Sequence, residues 1–156
     1  MAYWLLKSEP DAFSIDDLHQ QGEATWDGVR NHQAKNYIAR MQPGDLFLFY
    51  HSSCTPPGLA GCGEIISTAY PDLSALDPHS PGHDPRSSKS KLPWLCVDVR
   101  WREKFPRFVS LQTLKASSAL QHLPLLKRGN RLSVMPVNSE DFTCMVELAG
   151  GKTHAC

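Results

Sequence analysis

The sequence predicts an α+β fold: a small mixed β-barrel of about five to six strands with short helices flanking it. Three observations carry this reading. Runs of strand length, apolar or alternating, recur at irregular intervals along the chain. Short segments of helical period separate them. The 156 residues suit one domain that buries about two-thirds of its unfolded surface. Regular alternation of strand and helix, which would indicate a doubly wound sheet, is missing, and no internal repeat is visible.

The elements follow in order. Tyr3 to Lys7 is a short apolar strand that ends at Ser8-Glu9-Pro10. Ser14 is placed to cap a helix running to about Gln21, with Asp16 and Asp17 in its first turn and Gly22 ending it. Asn31 caps a second helix, whose apolar positions Ala34, Tyr37, Ile38 and Met41 share one face. After the turn Pro43-Gly44-Asp45, the run Leu46-Phe47-Leu48-Phe49-Tyr50 reads as a buried strand. Leu59 to Thr68 is the next strand, joined to it by a hairpin connection over Ser52 to Gly58. Residues 71 to 93 are rich in Pro, Ser, His and Asp and have no period, so they form a long, partly mobile excursion. Leu95 to Trp101 alternates as a strand; Val109 to Ala116 and Ser118 to Leu126 suggest two short helical pieces. Arg131 to Val137 is a late strand, and Ser139 caps a final helix to about Leu148. A single domain therefore covers residues 1–148, and 149–156 form a loose tail.

Composition narrows the classes. Hydrophobic content of 41% and charged content of 21% are those of a soluble globular chain. No apolar run approaches the roughly 20 residues a membrane helix needs, and the N-terminus lacks a basic leader. Five cysteines at irregular spacing argue for a reducing compartment rather than a disulfide framework. A cytoplasmic monomer is expected, with nucleoid association compatible. The net charge is zero, yet residues 1–85 carry a balance of −7 and residues 86–115 one of +6. Such a local field attracts nucleic acid whatever the total, although solvated strand and loop charges would leave the same record.

The densest chemistry lies in Trp26-Asp27-Gly28-Val29-Arg30-Asn31. An ordinary turn needs the glycine and the asparagine. It does not need an aromatic plate, a carboxylate and a guanidinium as well. Lys7-Ser8 and Tyr50-His51-Ser52 are similar polar exits from apolar strands, and strand ends converge at a barrel mouth, so the three exits are expected to line one cavity. Trp26 would stack on a planar ligand, Asp27, Asn31, Ser8 and Ser52 would supply donors and acceptors, and Arg30 a charge or a second stacking surface. The alternative is that Trp26 simply covers the end of the barrel.

Other chemistries are weaker. Cys54, Cys62, His79 and His83 imitate a zinc site only loosely, because seven residues separate the two cysteines. No metal and no cofactor are expected. His51-Ser52 beside Cys54 and Cys62 could supply a nucleophile and base, but neighbours on a strand point to opposite faces, and no catalytic motif of known mechanics is present. The interleaving of Trp94, Trp101, Phe105 and Phe108 with Arg100, Arg102, Lys104 and Arg107 fits a single-strand binding surface, its aromatics mostly core and its arginines available to a backbone.

Tyr3-Trp4-Leu5-Leu6-Lys7-Ser8-Glu9-Pro10, the Trp26 to Asn31 string, Gly44-Asp45 with Phe49-Tyr50-His51-Ser52, and Arg131-Leu132-Ser133-Val134-Met135-Pro136-Val137 together resemble the EVE domain family, from about Ala2 to Leu148. The resemblance implies a PUA-like barrel, a kinship with YTH domains, and recognition of a modified base: modified cytosine in DNA, with modified RNA bases as the rival. Carried over by position, it makes Trp26 a cage wall and lines the pocket with Lys7, Ser8, Asp27 to Asn31 and Tyr50 to Ser52, joined by Ser133. His32 stands where the family pattern has a tyrosine. A non-enzymatic binding module is therefore expected, with Lys35, Arg86, Lys89, Lys91, Arg100 and Arg102 on the nucleic-acid backbone. The competing readings are an enzyme using His51 or Asp27 as acid/base, and a binder of small metabolites.

Overall fold

The computed structural model describes residues 1–153. Seven strands form one mixed sheet: β1 (Tyr3–Ser8), β2 (Glu23–Trp26), β3 (Leu46–His51), β4 (Gly58–Ile65), β5 (Tyr70–Pro71), β6 (Leu95–Ser110) and β7 (Val134–Val137). Four helices accompany them: α1 (Ile15–Gln21), α2 (His32–Arg40), α3 (Leu111–Ala116) and α4 (Ser139–Leu148). The strand order is β2-β6-β4-β3-β1-β7, with β5 beside β6. Only β1 and β3 run parallel, Tyr3 opposite Leu46 through Ser8 opposite His51.

The expected barrel is not closed. The path is open, with β2 at one end and β7 at the other. In β3 apolar side chains occupy both faces. Leu46, Leu48 and Tyr50 join a core under α3, α4 and the segment between them; Phe47 and Phe49 join a second core under α1 and α2. A sheet buried on both sides needs a cover on each, and the helices provide it.

The caps follow the local chemistry. Ser14 and Asp17 form a reciprocal capping box at α1, and Asn31 Oδ1 accepts the Ala34 N–H at 3.0 Å to start α2. Asn138, not Ser139, caps α4. Three strand features depart from expectation. β2 forms from only four residues. β4 ends at Ile65 rather than Thr68. β6 runs on past Trp101 through Pro106, which falls where the pairing jumps from Gly61–Lys104 to Leu59–Val109. A bulge is where a strand tolerates a residue without an N–H.

The excursion also differs from expectation. Leu73–Leu76 is a 3₁₀ turn, and both flanks are pinned by buried or bonded carboxylates described below. Of the expected loose tail, Lys152 and Thr153 donate their N–H groups to the Glu103 carboxylate, and its last three residues lie outside the described residues. No helix among the described residues is long and apolar enough to cross a membrane.

Candidate functional site

A cavity of about 630 Å³ opens between the ends of β1 and β2. Lys7 and Ser8 form one side, Thr25 to Asn31 another, and Ser133 enters before β7. Ala12 and Phe13 supply an apolar wall, and Ser74 with Ser80, Pro81 and Gly82 bring the excursion over the opening. Lys7, Ser8, Ser133 and all six residues from Trp26 to Asn31 thus meet at one place. Ala12, Phe13 and Thr25 were missed by sequence reasoning, whereas the Pro- and His-rich excursion was open to covering the pocket or doing nothing; the placement of Phe13 just before a helix cap carried no signal of it.

Trp26 is only 7% exposed. Its ring meets Phe49, Phe47 and Phe13 edge-on at centroid distances of 5.2, 5.9 and 6.2 Å. It is therefore both cavity wall and core, which merges the two sequence readings. Gly28, at φ +79°, turns the chain away behind it, in a region where a side chain is strained.

The loop is fixed from outside by Asp72, which is 1% exposed. Its carboxylate accepts the Gly28 N–H at 2.9 Å, Arg30 Nη1 at 2.8 Å and the Ser74 N–H at 3.0 Å. Burial works to raise the Asp72 pKa, but the bonds from Ser74, Arg30 and Gly28 win and hold it below the ordinary carboxylate value. Arg30 gives further bonds to the Gly82 carbonyl (2.8 Å), the Val29 carbonyl (2.9 Å) and Ser74 Oγ (3.1 Å). Four of its five N–H donors are thereby engaged. Arg30 fastens the excursion to the loop rather than standing free for a ligand. Asn31 Oδ1 is likewise committed to its cap. At the far end of the excursion, Asp84 accepts Trp94 Nε1 at 2.7 Å, and His32 stacks on the Trp94 ring at 4.6 Å.

Asp27 remains open to the cavity. Burial, and next the charge of Asp72, push its carboxyl above the ordinary value, with its own backbone N–H and Arg30 opposing. Lys7 is half-buried, and desolvation lowers its pKa.

Tyr50, His51 and Ser52 fall outside this cavity, correcting the expected third side. The Ser52 N–H donates to the Ser8 carbonyl at 3.0 Å, so the segment supports the wall from behind. Tyr50 is buried beneath Lys7, whose Nζ lies 5.7 Å from its ring centroid. His51 Nε2 accepts the Ile15 N–H at 3.2 Å, satisfying the first donor of α1. Burial lowers its pKa, Lys104 assisting and Asp16 opposing. The unfolded chain then binds the proton more readily, so the neutral ring stabilises the fold above the ordinary value of 6.5 and the contribution is lost as pH falls below it. Thermal melts from pH 7.5 to 5 should show a falling midpoint, with a shallower fall in His51→Gln. A variant that tracks the wild type at every pH would remove this role.

The basic residues divide into two groups. Arg100 pairs with Glu23 at 3.5 Å, Arg102 with Glu64 at 2.9 Å and Lys104 with Asp16 at 2.9 Å. Lys35, Arg86, Lys89 and Lys91 make no ion pair among the described residues. Of the interleaved aromatics, Trp94 and Phe105 are buried, Trp101 stacks on His19 at 3.9 Å, and Phe108 is 43% exposed. Cys54, Cys62, His79 and His83 do not converge; no group of three or more His, Cys, Asp or Glu able to hold a metal occurs among the described residues.

The EVE domain model matches residues 2–148. The chain belongs to the EVE domain family. Thymocyte nuclear protein 1 from Homo sapiens is 37% identical over 166 residues, covering 94% of this chain and 73% of that protein. Human THYN1, solved in complex with 5-methylcytosine-containing DNA, superposes with a TM-score of 0.90 at 35% identity, covering 98% of this chain and all of that one. A Pseudomonas syringae protein of the same EVE-like fold reaches 0.92 at 51% identity, covering 95% and 99% of the two chains. The YTH domain of Zygosaccharomyces rouxii MRB1, in complex with N6-methyladenosine RNA, gives 0.53 at 14% identity over 99% and 88%, a likeness of fold alone.

Proposed function

We propose that this EVE domain is a non-enzymatic module that takes a modified base, unpaired or flipped from its duplex, into the cavity behind Trp26, with 5-methylcytosine in DNA as the first candidate. The observation that carries the proposal is the cavity itself. Its volume of about 630 Å³ falls in the range of small-ligand sites, and it joins an aromatic wall to a carboxylate and hydroxyls. Phe13, Ala12 and Trp26 offer apolar surface to a methyl group. Asp27 is suited to accept from the exocyclic amine of cytosine. The human relative in complex with 5-methylcytosine-containing DNA supports the same ligand class. Of the two residues named for acid/base work in the competing enzyme reading, His51 or Asp27, His51 holds the start of α1 instead.

The test is fluorescence anisotropy with short single-stranded and duplex oligonucleotides carrying one central cytosine, 5-methylcytosine or N6-methyladenine. A preference of about tenfold or more for one modified base is expected, corresponding to roughly 1.4 kcal/mol. Equal affinity for modified and plain strands overturns the proposal. Asp27→Ala should weaken the 5-methylcytosine strand by about tenfold, within the range of one good base-edge contact, and plain cytosine, which carries the same amine, in parallel. The raised pKa of Asp27 gives a pH signature. Its carboxylate takes up a proton at a higher pH than an ordinary aspartate, so on acidification affinity for the 5-methylcytosine strand declines sooner than an ordinary carboxylate contact would allow, and this decline is absent in Asp27→Ala.

A further inference from the structure

Behind Lys7 lies a second cavity of about 510 Å³. Four cations line it: Lys7, Lys115 at the end of α3, and Lys127 and Arg128 in the loop before β7. No carboxylate is on its wall. The cause is written in the sequence. Residues 104–139 contain six Lys/Arg and no Asp or Glu. None of the four cations makes an ion pair among the described residues, in contrast to Arg100, Arg102 and Lys104 on β6.

The loop is built to hold its charges in place. The Asn130 N–H donates to the Lys127 carbonyl at 3.1 Å, closing a four-residue turn. Gly129, third in that turn, has φ +81°, which the type II turn requires. Asn130 Nδ2 donates to the Pro124 carbonyl at 2.6 Å while its Oδ1 accepts the Leu132 N–H at 2.9 Å. Two cations presented by a turn locked on both sides lose little freedom when an anion arrives.

The two cavities share a wall. Lys7 lines both, and its N–H donates to the Ser133 carbonyl at 2.8 Å. Ser133 lines the first cavity and Asn130 the second, and three residues of chain span at most about 11 Å. We propose that the cavity of Lys7, Lys115, Lys127 and Arg128 seats backbone phosphates of the same strand whose base enters the first cavity, an assignment that rests on the base-binding reading above. Lysine ammonium groups serve a phosphate as point charges, and the Arg128 guanidinium can fork onto two of its oxygens. A phosphate beside Lys7 also offsets the desolvation of its ammonium.

The experiment compares the full chain with the variant K115A/K127A/R128A, all three sites exposed. Affinity for single-stranded oligonucleotides with and without the preferred base is measured across a salt series. Each lost phosphate contact lowers the slope of log K against log salt by about 0.7, so a decrease of about 2 is expected for the triple variant. Affinity should fall equally for modified and plain strands, their ratio unchanged. A wild-type slope retained by the triple variant overturns the proposal, as does a slope lost instead in R100A/R102A. Titration with inorganic phosphate separates the two sources of that chemistry. Phosphate binding that the triple variant loses while its oligonucleotide affinity stands unchanged makes this a small-anion site and overturns the backbone assignment. A wild-type ratio of one between modified and plain strands refutes base recognition alone, because the slopes still decide the phosphate seat.

Discussion

Trp26→Ala should lower the free energy of unfolding by about 3–5 kcal/mol, the usual cost of removing a large buried aromatic. The ring is a junction of the second core: Phe13, Phe47 and Phe49 all meet it edge-on. Against a total stability of about 5–15 kcal/mol this is a large share. Loss of ligand binding in that variant would therefore report unfolding as readily as a missing stacking surface. Trp26→Phe separates the two. It keeps an aromatic ring against Phe47 and Phe49 while shrinking the plate offered to a base. Chemical denaturation should show a clearly smaller loss for Trp26→Phe than for Trp26→Ala. Base selectivity measured on the folded Phe variant should still fall, by up to the roughly 1–3 kcal/mol that stacking on one aromatic contributes. If both variants unfold at the wild-type midpoint, the ring is not part of the core.

Asp72→Ala is expected to be nearly as severe, costing about 3–5 kcal/mol. Removing one member of a buried ion pair leaves the other charge without compensation. Here the guanidinium of Arg30, the Gly28 N–H and the Ser74 N–H lose their acceptor together. The damage should be local before it is global. Hydrogen exchange should accelerate first in residues 27–31 and 72–84, with β1 and β3 protected as in the wild type. A double-mutant cycle with Arg30→Ala should give a coupling energy well above that of an exposed pair, which is about 0–1 kcal/mol. Additive losses would mean that Arg30 and Asp72 act independently. The wild-type pair should also weaken in strong acid. The Asp72 pKa is depressed, so its contribution is complete above the ordinary carboxylate range and is lost as pH falls through the folded value.

Much of the frame was legible because it depends on short-range pattern. The Ser14 to Asp17 box, the Asn31 cap and the apolar run of β3 each fix an element within a few residues. Convergence of Lys7-Ser8 with the Trp26 loop followed from the tendency of strand ends to gather. What stayed hidden depends on distance along the chain. β2 has four residues between Gly22 and the Asp27 turn, too few for alternation to be read. Nothing in the excursion announces that Asp72 will meet Arg30, 42 residues away. Without that contact Arg30 looks free for a ligand and the excursion looks mobile. Open and closed sheets share one strand pattern, so the barrel could be separated from the open sheet only by seeing where β2 and β7 end. The basic loop at Lys127 and Arg128 did leave a trace, the acid-free stretch 104–139, which a charge count stopping at residue 115 divides in two.

The two anchors of the excursion bear on how recognition in this fold can be altered. Asp72 fixes its entry and the Asp84–Trp94 bond its exit, and both anchor carboxylates sit outside the stretch that overhangs the cavity. A side chain at Gly82 would meet Arg30 Nη2 at 2.8 Å and displace it from its bond to Ser74 Oγ, so exchange at either position disturbs that clasp. Residues 77–81 between them form a cassette clamped at both ends. Within it Ser80 and Pro81 line the cavity, and Ser80 Oγ accepts the Gly82 N–H at 3.1 Å, so exchange at Pro81, outside both cores, is a route to altered ligand preference with the anchors kept.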